Sequence, residues 1–264
     1  MDNYKPLLET VEPEYINEMT ARREPIEKAK KLTGALATPI ISFGALAGTA
    51  YGQDSKLPGK IVDVLNFALT LEYLEDDFYR MGLNSSGLIP SGTRDVFGQI
   101  SKHETAHVNL LRSVLGSRAV SKPQFDFTAG GAFGDVFRNY QTFLAVSQAF
   151  EDTGVRAYKG QAGNLRSNDM ILTTALQIHS VEARHAAMVR RLRGETPWIV
   201  GDSRGTLPAA TQPVYNGEGI TTQGGANVAA LPGSSSKIAS QAFDEPLTKE
   251  QVMAIASLFI RRNS

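Results

Sequence analysis

One pattern, present twice, constrains this chain more than anything else in it: a glutamate, a tyrosine seven residues later, and further on a Glu-x-x-His tetrapeptide. The first copy is Glu72, Tyr79 and Glu104-Thr105-Ala106-His107; the second is Glu151, Tyr158 and Glu182-Ala183-Arg184-His185. Glu72 and Glu151 precede their tetrapeptides by 32 and 31 residues, and the two copies are offset by about 79. In a helix, residues at i and i+3 share a face, so each tetrapeptide aims a carboxylate and an imidazole at one point. The chain has four histidines, His103, His107, His179 and His185, and all lie in or beside these tetrapeptides. Self-similarity with ligand-type residues in matching places predicts a paired site. Four carboxylates and two imidazoles on four helices form the ligand set of a two-metal centre in a bundle core.

Composition narrows the chemistry. Lys+Arg and Asp+Glu both number 27 in 264 residues, so no basic excess supports a nucleic-acid partner. The absence of cysteine excludes disulfides, zinc-thiolate sites, iron–sulfur clusters and thiol catalysis, and suits an oxidising compartment.

Apolar periodicity predicts an all-α bundle. The first helix is expected over 58–82, with Ile61, Val64, Leu65, Ala68 and Leu69 on its apolar stripe. The second runs from near Thr93 to Gly116, the third from Asp135 to Tyr158 and the fourth from Asp169 to Leu192. Short links join the first pair and the last pair, whereas residues 117–134 form a long Pro/Gly-bearing connection. Extended, it reaches roughly 60 Å, enough to cross helices about 36 Å long. The hairpins then bring Glu72 beside Glu104 and His107, and Glu151 beside Glu182 and His185.

The flanks differ in character. Residues 1–55 hold Arg22-Arg23 and an uncharged run from Leu32 to Tyr51, which together suggest an export leader of twin-arginine type. Pro25 and Glu27 depart from that pattern, and an uncleaved membrane anchor, a docking segment or an ordinary helix are the alternatives. Residues 196–264 are a Gly/Pro-rich extension, expected to wrap the bundle or meet a partner; Thr248 to Gln251 reads as a capping box opening a short last helix.

The carboxylate-rich, sulfur-free ligand set favours iron or manganese. Glu104 and Glu182 are expected to bridge two ions, with Glu72 and His107 terminal on one and Glu151 and His185 on the other. Buried carboxylates without compensation cost several kcal/mol each, and two divalent ions offset that cost. Tyr79 and Tyr158 are candidates to hydrogen-bond ligands or relay electrons, with a core role as the plain alternative. His103 and His179 lie near the ligands and could support them from behind or be surface residues. Glu75 could be an extra ligand or replace Glu72, and Asp152 with Arg156 reads as a solvated i,i+4 pair.

From about Gly59 to Arg193 the chain resembles the ferritin-like superfamily, and more narrowly the bacterial ferritin-like proteins related to plant desiccation-related proteins. The stretches that carry the likeness are LNFALTLEYLEDDFY (65–79), ETAH, FEDTGVRAY (150–158), EARH and FDEPLTKEQVMAIASLFI (243–260). The resemblance implies a ferritin-like four-helix bundle over 56–195 with one long crossover. It also implies a di-iron centre in an exported, periplasmic or envelope protein. The leading expectation is oxidation of Fe(II) by dioxygen or peroxide in iron handling or stress protection. The alternative is a structural or interaction subunit of an envelope assembly, docking through the bundle to another copy or another protein, with metal structural or absent.

Overall fold

The structure, a computed structural model, describes residues 57–261. The expected leader or anchor, in residues 1–55, lies outside the described residues. Four long helices make the frame: α1 (Gly59–Asn84), α2 (Ser91–Leu115), α3 (Tyr140–Ala162) and α4 (Asp169–Leu192). Pro58 and Pro90 stand immediately before α1 and α2, both with the extended ψ that leads a chain into a first turn. Asn139 and Asn168 cap α3 and α4, their side chains accepting from the amides of Gln141 and Ile171.

α1 packs along α2 and α3 along α4, as two hairpins with links at 85–90 and 163–168. The path from α2 to α3 can be followed residue by residue. The backbones of Arg118 and Val120 bond the Asn66 side chain near the start of α1, Lys122 pairs with Asp77 at 2.7 Å, and Phe127 packs on Phe78. The segment has then climbed α1, and Tyr140 meets Thr93 at the start of α2, 2.9 Å away. This is the single long crossover that the link lengths predict.

One boundary differs. The third helix begins at Tyr140 rather than Asp135, and continues past Tyr158 to Ala162. The Asp135 carbonyl accepts from the amides of both Arg138 and Asn139, and its carboxylate accepts from the Asn139 side chain at 2.9 Å. These residues close a turn on themselves, and Asn139 caps the helix beyond them. Val136 and Phe137 nonetheless enter the core, so the periodicity located buried residues but not their backbone state.

The bundle interior is divided by height. Leu65, Leu69, Leu111, Val114, Ile171 and Ile178 fill one end, and Phe78, Phe97, Phe143, Phe150 and Val189 the other. The extension covers a third apolar surface on α1 and α3, where Phe67, Leu71, Ala149 and Ala157 meet Ile199, Val214, Tyr215 and Leu247. It carries two short helices, α5 (Ser236–Ser240) and α6 (Lys249–Ala256), and α6 opens with the expected Thr248–Gln251 capping box. Among the described residues no helix is long and apolar enough to cross a membrane.

Candidate metal centre

Between the two apolar ends lies a polar layer in which all six predicted ligands meet. α1 supplies Glu72, α2 Glu104 and His107, α3 Glu151, and α4 Glu182 and His185. Two sets form: Glu72, Glu104, His107 and Glu182, and Glu104, Glu151, Glu182 and His185, the donor atoms of each lying within 4.8 Å of one another. Glu104 and Glu182 belong to both, the arrangement of bridging carboxylates, while each set has its own glutamate and imidazole. His107 Nδ1 is 3.1 Å from oxygens of Glu72, Glu104 and Glu182. His185 Nδ1 lies 2.9 Å from Glu104, 3.3 Å from Glu151 and 3.8 Å from Glu182.

Burial makes this cluster costly unless something compensates it. The four glutamates and His107 are 0% exposed and His185 4%. Yet among the described residues Glu104 Oε1, Glu151 Oε2, both Glu182 oxygens and His185 Nδ1 have no aligned hydrogen-bond partner. Buried polar atoms are otherwise almost always bonded, so converging orphans of this kind fit coordination of cations.

Charge is distributed accordingly. Burial pushes Glu72 up to about 8, against the pull of His107. Burial also lifts Glu151 well above the carboxylate range despite His185. For Glu104, burial is outweighed by His107 and His185, which hold it ionised; Glu182 is likewise held low, against burial and Glu104, by the same two rings. Both imidazoles are driven well above their ordinary range, burial notwithstanding: Glu72 and Glu104 act on His107, Glu151 and Glu104 on His185.

The two tyrosines are crossed. Tyr79 of α1 donates to Glu151 of α3, and Tyr158 of α3 donates to Glu72 of α1. Each hydroxyl therefore ties a glutamate of the opposite hairpin, which sequence spacing alone does not reveal. Glu75 does not displace Glu72. It is buried beside the cluster, with Gly154 close to both its carboxylate and that of Glu182, and burial together with the surrounding glutamates raises its carboxyl well above the ordinary range.

Two residues depart from the sequence reading and one expectation divides. Asp152 and Arg156 are not a solvated pair: they are 2% and 1% exposed and have different partners. Asp152 accepts both guanidinium nitrogens of Arg190, at 2.9 and 2.5 Å, and the hydroxyl of Tyr215 at 2.7 Å. Arg156 pairs with Glu218 at 2.6 Å and donates to the backbone of Val214, Asn216 and Glu245. Periodicity assigns this face of α3 to solvent, but the extension covers it. Of the two spare histidines, His103 reaches the centre, its Nδ1 2.9 Å from His185 Nε2, while His179 does not join either set.

An antiparallel bundle with one crossover and a carboxylate–imidazole layer at mid-height is the architecture in which side chains of facing helices could hold metal ions. The model of the ferritin-like domain family matches residues 60–195, and the chain belongs to that family. No curated protein matches the chain.

Proposed function

We propose that this protein binds two divalent metal ions, iron in the leading reading with manganese as the alternative, and with iron bound oxidises Fe(II) with dioxygen or peroxide. One observation carries the reading: two four-residue sets, each with its own glutamate and imidazole, share Glu104 and Glu182. All the donors are carboxylate oxygen or imidazole nitrogen, which suits iron or manganese and disfavours copper. Bound at such a site, two ferrous ions would supply one electron each to a single oxidant. The chain's residues do the rest. Tyr158 and Tyr79 fix Glu72 and Glu151 from across the bundle. The apolar ends above and below the polar layer exclude water.

Replacing both Glu72 and Glu151 with alanine removes the private carboxylate of each set. The double variant is expected to lose stoichiometric binding of two ions and Fe(II)-dependent oxygen uptake together; ferroxidase turnover retained in it sinks the assignment. A bundle that serves only as a docking module would leave oxygen uptake at the uncatalysed rate in the wild type as well.

A further inference from the structure

The sequence repeat makes the two half-sites look equivalent, but their surroundings are not. His107 is fully enclosed, and its outer nitrogen, Nε2, has no hydrogen-bond partner among the described residues. His185 is backed by a second imidazole: His103 Nδ1 lies 2.9 Å from His185 Nε2, the rings lie edge to edge in nearly one plane with centroids 5.1 Å apart, and His103 Nε2 lies 2.7 Å from Gln99 Nε2. Gln99 and His103 stand one turn apart on α2, Gln99 in solvent and His103 half-buried.

A metal ion on His185 Nδ1 would fix the roles of the nitrogens. His185 turns Nδ1 toward the carboxylates. A ring that gives its Nδ1 lone pair to an ion keeps its proton on Nε2, so His185 donates there and His103 Nδ1 accepts. His103 then carries its own proton on Nε2; Gln99 presents its amide nitrogen there in this structure, and the amide turns over to offer its oxygen once the ion is held. A chain of donors then runs from the Glu151–His185 half to the surface, whereas the His107 half has none among the described residues. A partner on the outer nitrogen orients a ligating imidazole and raises its basicity, and losing such a partner lowers metal affinity about 10- to 100-fold.

Resting on the two-metal reading above, we infer that His103 is a positioning residue for one ion only, and that it makes the two metal positions unequal. The ion held by Glu151 and His185 depends on His103 and is the one joined to solvent. The ion held by Glu72 and His107 is independent of it.

Co(II) titration of the full-length, metal-free protein tests this, with binding followed by equilibrium dialysis and by the visible absorption of each bound ion. His103→Phe keeps an aromatic ring beside His185 and removes both nitrogens. It is expected to weaken one ion about 10- to 100-fold and leave the other at wild-type affinity. His103→Asn, whose side-chain oxygen can accept from His185 Nε2, is expected to restore most of the loss. Two ions bound by His103→Phe as in wild type, both weakened in parallel, or no rescue by His103→Asn overturns the inference while the two-metal reading stands. A wild type that never takes up two ions overturns that reading itself. Were His103→Phe to fail to fold, the same comparison holds between His103→Asn and His103→Ala.

Discussion

Loading the centre should expel protons in a number the structure specifies. At pH 7 in the metal-free protein, Glu72 and Glu151 hold protons, because burial raises them to about 8 and well above the carboxylate range respectively. His107 and His185 are cationic, raised by their glutamate neighbours against burial, while Glu104 and Glu182 are ionised. Two positive rings balance two negative carboxylates, so the buried cluster is neutral. With two divalent ions, four carboxylates ionise and both rings turn neutral, and the sum is again zero. Four protons therefore leave as two ions enter. The free-energy consequence is large: two protons per ion make the dissociation constant fall about 100-fold for each pH unit gained, near 2.7 kcal/mol per ion. Calorimetric titration with Co(II) in buffers of differing ionisation enthalpy measures the number directly. About four protons per two ions is expected around pH 7. Release of one or none, with affinity flat between pH 6 and 7.5, would refute the charge assignment and with it the claim that metal ions replace protons in this core.

The same protons set the stability of the metal-free form. Glu72 has a folded value of about 8 against 4.5 unfolded, so its contribution is present below 4.5 and is lost as pH rises toward 8. The loss is about 1.4 kcal/mol per pH unit within that window, so the melting temperature of the metal-free protein should fall from pH 5 to 7, and a flat profile contradicts it. Tyr158→Phe unties Glu72, and its expected effect is loss of about 1–3 kcal/mol in the metal-free protein with weaker metal uptake, read by chemical denaturation and dialysis. Asp152→Ala leaves Arg190 buried without its carboxylate, a change expected to cost about 3–5 kcal/mol; unaltered unfolding would show that the pair is not desolvated in solution. Gly160→Ala places a Cβ 2.0 Å from the Leu247 carbonyl oxygen, so the C-terminal segment must move off α3; faster proteolysis around residues 241–248 is the expected sign.

What was legible in the sequence was local or repeated. The side chains at i and i+3 in ETAH and EARH face one way whatever packs around them, so the ligand motifs could be read without a fold. Glu72 and Glu151 followed from the repeat, and the link lengths dictated the crossover, because a chain leaving one end of a helix must travel its length to re-enter at the other. The Thr248 capping box was equally visible, since a cap involves only its own four residues.

The rest depended on which surfaces meet. Asp152 and Arg156 are spaced as a surface pair, and became two buried ion pairs only because the extension, which has no periodicity to read, lies over that side of α3. Glu72 and Glu75 are both acidic residues on the ligand side of α1, and the phase of α1 against α2 selected Glu72, 3.1 Å from His107. The tyrosines lie in sequence near one glutamate and bond the other, because α1 and α3 place each hydroxyl across the core from its own copy. His103 and His179 looked alike beside their motifs, but His103 stands one turn before His107, facing α4, and so backs His185. The sequence by itself determined which atoms can hold metal; tertiary structure decided which of them are tied, shielded or joined to solvent. Coordination chemistry belongs to residue type and helical spacing, whereas hydrogen-bond partners and burial arise only when separate helices and the extension close on one another.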